Sequence, residues 1–145
     1  DVEIAANNIA LRSRDVLARG RALAKRRKLT NISWKRGDLD RLPIAARSVD
    51  VALLSQALHH AEHPDRALAE AQRILKPGGR VLLLDLREHP EAWVRSKLGD
   101  KWLGFSEDRL RALLAGAGFS RPVVRVGARR AGDPFTVLIA AGTKA

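Results

Sequence analysis

The sequence predicts an α/β protein built on a mostly parallel sheet, with an antiparallel hairpin at its C-terminal edge. Three observations carry this. The apolar runs 49–54 and 81–84 have the length and unbroken hydrophobicity of strands covered on both faces, as in parallel sheets. Segments with helical spacing lie before, between and after them. Two strand-like segments, 123–126 and 135–141, close the chain with no helix between them, so they should pair antiparallel. The order helix, strand, strand, helix, strand, helix, strand, strand belongs to that class.

Within 11–29, Val16, Leu17, Gly20, Leu23 and Ala24 fall on one arc of about 120 degrees, an amphipathic helix. Arg12, Arg19 and Arg26 flank the arc on one side, and Arg14, Arg21, Lys25 and Lys28 on the other. A solvated face with snorkelling arginines is the plain reading. A phosphate-binding face is the alternative, but no aromatic residue is interleaved to stack on bases. Residues 31–36 alternate, with Ile32 and Trp34 against Ser33 and Lys35, as a half-buried strand does. Gly37-Asp38-Leu39-Asp40 makes a turn. Pro64-Asp65 opens a helix whose face is Ala67, Leu68, Ala71, Ile74 and Leu75, with Glu70 able to pair with Arg73. Lys76 suits its end, and Pro77-Gly78-Gly79 is expected to stop it. A short helix is predicted over 91–98, then a loop through Gly99-Asp100-Lys101-Trp102. Ser106 caps the next helix, which runs through Leu110, Leu113 and Leu114 to Gly116 and Gly118. Arg129 to Pro134 forms the basic turn of the hairpin.

At 145 residues the chain is expected to form a single domain, 1–145. Hydrophobic residues at 46% and charged residues at 30% exclude wholesale disorder. No apolar run approaches the roughly 20 residues of a membrane span. Cysteine is absent, which removes disulfides, thiolate metal ligands and thiol nucleophiles; the redox compartment stays open, with a cytoplasmic setting the default. Methionine is absent too, even at position 1, as expected of a chain processed or excised from a longer one. The 27 Lys and Arg against 16 Asp and Glu give +11, a field that attracts phosphates, nonspecific nucleic acid or anionic ligands.

In an open α/β sheet, ligands bind beyond the carboxyl ends of the strands. Three clusters stand there: Asp38-Leu39-Asp40, the stretch from Ser55 and Gln56 to His59 and His60, and Asp85-Leu86-Arg87-Glu88-His89. They are expected to converge on one crevice. His59, His60 and His63 invite a metal reading, since His60 and His63 are one helical turn apart. Without a thiolate or an evident carboxylate partner, no metal site is predicted.

Four motifs in order carry a resemblance. They are Gly37-Asp38-Leu39 with Leu42-Pro43 and Ser48-Val49-Asp50; the segment from Ser55-Gln56-Ala57 to His59-His60; Arg73-Ile74-Leu75-Lys76-Pro77-Gly78-Gly79; and Ala117-Gly118-Phe119. Together they resemble the class I S-adenosylmethionine-dependent methyltransferases, nearest the ubiquinone/menaquinone-biosynthesis type. Asp85 to His89, Val94-Arg95, Leu103 to Ser106 and Gly132 to Phe135 look like the methyltransferase-like domain fused to arsenic-repressor-type regulators. The resemblance spans roughly residues 8 to 145 and implies a Rossmann-like fold. It implies S-adenosylmethionine as cofactor, S-adenosylhomocysteine as product and a small-molecule acceptor. It places Asp38 and the Leu39 amide on the adenine, Ser55, Gln56 and Ala57 by the methionine end, and His59 in the active-site loop as a base or substrate-orienting group. An adenine amine needs an acceptor and a ring nitrogen a donor, which a short carboxylate followed by an amide supplies. Arsenic methylation is disfavoured, since a soft metalloid needs thiolates.

Two departures stand out. The family's first strand and glycine-rich loop have no counterpart, so the fold reads as truncated at the first strand, with 1–30 rearranged or incomplete. Ile9-Ala10-Leu11 would be the family's second strand, and Leu11 falls where an acidic residue holds the ribose hydroxyls. The expectations are a weakened cofactor site and N-terminal strands without their usual neighbour, repacked or exchanged in a homo-oligomer. The alternative function is a noncatalytic cofactor-sensing or dimerising remnant or engineered fragment.

Overall fold

The computed structural model describes residues 7–11 and 14–145, and the chain divides into two compact units, Asp1–Ile44 and Ala45–Ala145. In the N-terminal unit, β1 (Asn7–Leu11), α1 (Arg14–Arg26) and β2 (Ile32–Arg36) form a parallel crossover, with Asn7 opposite Ile32 and Leu11 opposite Arg36. The expected helix and both expected strands are thus present. The two strands pair with each other in a two-stranded sheet. Of the predicted apolar arc, Leu17 and Ala24 are buried while Val16 and Leu23 stay exposed. The reason is local: a Cβ on Gly20 would fall 2.6 Å from the Trp34 ring. The glycine thus lets that indole lie flush against α1. The basic side chains Arg14, Arg19, Arg21 and Lys25 are exposed, as a solvated face requires.

The C-terminal unit contains β3 (Val49–Ser55), α2 (Pro64–Ile74), β4 (Leu75–Leu86), α3 (Trp93–Leu98), α4 (Glu107–Gly116), β5 (Phe119–Arg129) and β6 (Thr136–Lys144). Its sheet runs β3-β4-β6-β5. β3 is parallel to β4, and β6 is antiparallel to both β4 and β5. β6 is therefore the reversed strand among three that share a direction, and β5 with β6 forms the predicted hairpin. The core is made by Leu68, Leu75, Val81, Leu83, Leu110 and Leu138, each essentially inaccessible. α2 starts with Pro64 at its first turn, where a missing N–H costs nothing. The Ser106 hydroxyl accepts from the Arg109 amide at 3.1 Å and caps α4.

Two expectations are corrected. Pro77-Gly78-Gly79 does not terminate α2, which already ends at Ile74, and these residues lie within β4. Val49 pairs with Leu75 but Val51 pairs with Arg80, so residues 76–79 form a bulge. Gly78 takes φ 77°, and Lys76 Nζ reaches Asp50 at 3.0 Å across the irregularity. Second, β3 is not covered on both faces. Ala52 and Leu54 are buried, but Val51 is 53% and Leu53 59% exposed. A continuous apolar run does not reveal which of its faces is covered. Among the described residues no helix is long and apolar enough to cross a membrane.

Candidate active site

The site in the C-terminal unit is built where β3 and β4 end. β3 stops at Ser55, and Gln56 then adopts a left-handed φ of 52°, with its amide donating to the Leu84 carbonyl at 2.7 Å. A non-glycine residue in that region stores strain of order 1–3 kcal/mol, and such residues gather at functional sites. The reversal turns the chain through Ala57 into a single 3₁₀ turn, Leu58–His60.

Asp85, on the last turn-ward stretch of β4 and 1% exposed, organises that turn. One carboxylate oxygen accepts from the Leu58 amide at 2.9 Å and the His59 amide at 3.3 Å. The other accepts from the Leu86 amide at 2.7 Å and lies 2.7 Å from His59 Nδ1. A carboxylate so placed holds the proton on Nδ1 and leaves Nε2 as the ring's second functional atom.

A loop closes over His59 from the other side. Gly99 ends α3 in the left-handed region, and the Lys101 and Trp102 amides both donate to the His59 carbonyl, at 2.9 and 3.0 Å. The Trp102 indole N–H adds a bond to the Ala61 carbonyl at 2.9 Å. This fixes Asp100, itself 5% exposed, with Oδ2 3.8 Å from His59 Nε2 and Oδ1 3.5 Å from His60 Nδ1. Burial is the largest influence on His59 and works against its charge. The hydrogen bond to Asp85 and the fields of Asp85 and Asp100 outweigh it, so the imidazole pKa is raised above its usual value. Gln56, His59, His60, Asp100, Arg130 and Phe135 line a cavity of about 570 Å³.

The clusters at 55–60 and 85–89 are therefore brought together, through His59 and Asp85. Asp38 and Leu39 belong to the N-terminal unit, in the turn after β2. There the Arg41 amide donates to the Asp38 carbonyl at 3.1 Å, and the Asp38 side chain is exposed. Gly37 is needed at that turn, since a Cβ would fall 2.4 Å from Pro43 Cδ. Sequence reasoning placed Asp85 in the 85–89 cluster expected at the crevice but gave it no role, and it named Asp100 only as part of a loop. For Asp85 a signal existed: a carboxylate ending an otherwise apolar strand is buried and must find partners. For Asp100 there was none, because its role depends on a loop returning to a segment some forty residues earlier. Asp100 also supplies the carboxylate beside His60 that the sequence reading lacked.

The profile of a methyltransferase domain family matches residues 9–83. The chain belongs to that family. It is of the class I kind that the motifs suggested, whereas nothing found bears on a fusion to arsenic-repressor regulators. The domain is 36% identical over 89 residues to the phthiotriol/phenolphthiotriol dimycocerosates methyltransferase of Mycobacterium leprae, covering 61% of this chain and 31% of that protein. It is 33% identical over 102 residues to a ubiquinone/menaquinone biosynthesis C-methyltransferase of Brucella anthropi, covering 70% of this chain and 38% of that protein. The chain thus spans about a third of the length of these relatives. Among solved structures, the methyltransferase domain superimposes on a SAM-dependent methyltransferase, possible histamine N-methyltransferase, of Thermotoga maritima. The TM-score is 0.69 at 25% identity, covering 96% of this chain and 73% of that one.

Proposed function

We propose that this chain is an S-adenosylmethionine-dependent methyltransferase domain acting on a small-molecule acceptor. The observation that carries the reading is the buried His59–Asp85 pair at the end of β3 and β4, on the wall of a ligand-sized cavity.

Donors on each unit, taken by itself, suit parts of the cofactor. The exposed Asp38 carboxylate suits an adenine amine and the Leu39 amide a ring nitrogen. Ser55, the strained Gln56 and Ala57 suit the methionine end. The misfit is Leu11, which offers no acceptor to ribose hydroxyls, so affinity is reduced. When bound, the cofactor supplies an electrophilic methyl group on a sulfonium. The protein's part is alignment, which can supply much of the rate enhancement of such a transfer. Asp85 fixes the ring of His59, and His59 Nε2 takes or orients the acceptor's proton. Leu86, Val94 and Phe135 give the cavity apolar walls that exclude water and select an acceptor with an apolar body.

A noncatalytic, cofactor-sensing reading is favoured by one feature: two carboxylates raise the pKa of His59, and its protonated form cannot take the acceptor's proton. The exposed Val51 and Leu53 beside the edge of β3 favour self-association in that case. The two readings separate on labelled amides. With S-adenosylhomocysteine, both predict shifts at Asp38, Leu39 and residues 55–60. Only the enzyme reading predicts methyl transfer from S-adenosylmethionine to small acceptors and its loss in His59→Ala. A folded chain with no amide shifts at saturating ligand would sink both.

A further inference from the structure

The same corner of the C-terminal unit holds a donor set that shares His59 with the proposed methyl-transfer site and adds His60 and Asp100, to which methyl transfer assigns no role. His59, His60 and Asp100 each offer one ligand atom, all within 4.8 Å of one another. Asp100 Oδ2 stands 3.8 Å from His59 Nε2, and Asp100 Oδ1 3.5 Å from His60 Nδ1. Tetrahedral bonds of about 2.0–2.2 Å place ligand atoms about 3.4 Å apart, so small movements bring these atoms onto one ion.

Three further observations point to a cation. Asp100 Oδ1 is buried without a hydrogen-bond partner, a costly arrangement for a carboxylate oxygen. Asp85 holds His59 Nδ1 at 2.7 Å, the outer carboxylate that orients metal-ligating histidines and leaves Nε2 to coordinate. The Lys101 and Trp102 amides lock the Asp100 loop onto the His59 carbonyl, so the set is preorganised. His60 is 43% exposed, and all three residues line the cavity, which gives an entry path and a fourth position.

We propose that His59, His60 and Asp100 form a binding site for a divalent first-row transition ion of the zinc type. Two imidazoles and a carboxylate select against magnesium and calcium, which prefer all-oxygen shells. Asp85 and Asp100 together offset the ion's charge. The site does not rest on the methyl-transfer reading, and an ion on His59 Nε2 would compete with the acceptor's proton for that atom.

The test is titration of the whole chain with zinc(II) by calorimetry, with cobalt(II) absorption as a second readout. The expected result is about one equivalent bound, with the visible bands of tetrahedral cobalt. His60→Gln alters a half-exposed ring and should leave the fold intact; Asp100→Asn removes the buried ligand. Each should weaken binding by more than about tenfold, since even outer partners of such sites cost about 10- to 100-fold. His63→Gln should change nothing, because His63 is outside the set. No binding by the wild-type chain, binding that survives both His60→Gln and Asp100→Asn, or binding lost in His63→Gln would each overturn the proposal.

Discussion

The two units of this chain carry different loads. In the N-terminal unit, Leu17 and Ala24 are the buried apolar residues among those described, and its sheet has two strands. The C-terminal unit buries leucines from α2, α4, β4 and β6 around a four-stranded sheet, and it holds the whole His59–Asp85–Asp100 cluster. A two-stranded ribbon with one packed helix is marginal in water, whereas a sheet covered by helices can stand by itself. Strength thus resides where the chemistry is built. Among the described residues, the unit with the exposed Asp38 carboxylate is the one with least core behind it.

The sharpest way to break that comparison is to remove what holds the site. Asp85→Ala leaves three amides and a buried imidazole without their acceptor. It should destabilise the C-terminal unit by about 3–5 kcal/mol, as breaking buried pairs does, read from urea melts. Leu68→Ala in the same unit should cost about 2–5 kcal/mol. Leu17→Ala should instead raise amide exchange in α1, β1 and β2 and leave β4 and β6 protected. A global loss of protection in Leu17→Ala would contradict the separation. Leu11→Asp should tighten S-adenosylhomocysteine about tenfold by supplying an acceptor for a ribose hydroxyl, measured by calorimetry. Unchanged affinity would mean the ribose is held elsewhere. The smallest effect is Ser106→Ala, which removes the α4 cap and should cost about 1 kcal/mol in a thermal melt.

How much was legible follows from which interactions are local. α2 and α4 were readable because apolar spacing, Pro64 and the Ser106 cap all act within a few residues. The hairpin of β5 and β6 followed from adjacency, though both strands run longer than predicted. Pro77-Gly78-Gly79 misled, because a turn-like sequence can serve as a bulge once neighbouring strands hold it. The one-sided burial of β3 was hidden, since apolarity at Val51 and Leu53 does not say whether anything covers them. At the candidate site, His59 and Gln56, which line the cavity, were named by motif. Asp85 was placed at the crevice without a role and Asp100 was read only as loop, because their meaning lies in contacts that span 26 residues and more.

The central proposal is that the chain binds its family's cofactor and that Asp38 takes part in holding it. Calorimetric titration of the purified chain with S-adenosylhomocysteine, at low and high salt and alongside Asp38→Ala, tests it most directly. The account predicts saturable binding that is insensitive to salt and lost in Asp38→Ala. A folded chain that binds nothing at millimolar ligand, or whose binding fades with salt and ignores Asp38, would contradict it and leave only attraction to a basic surface.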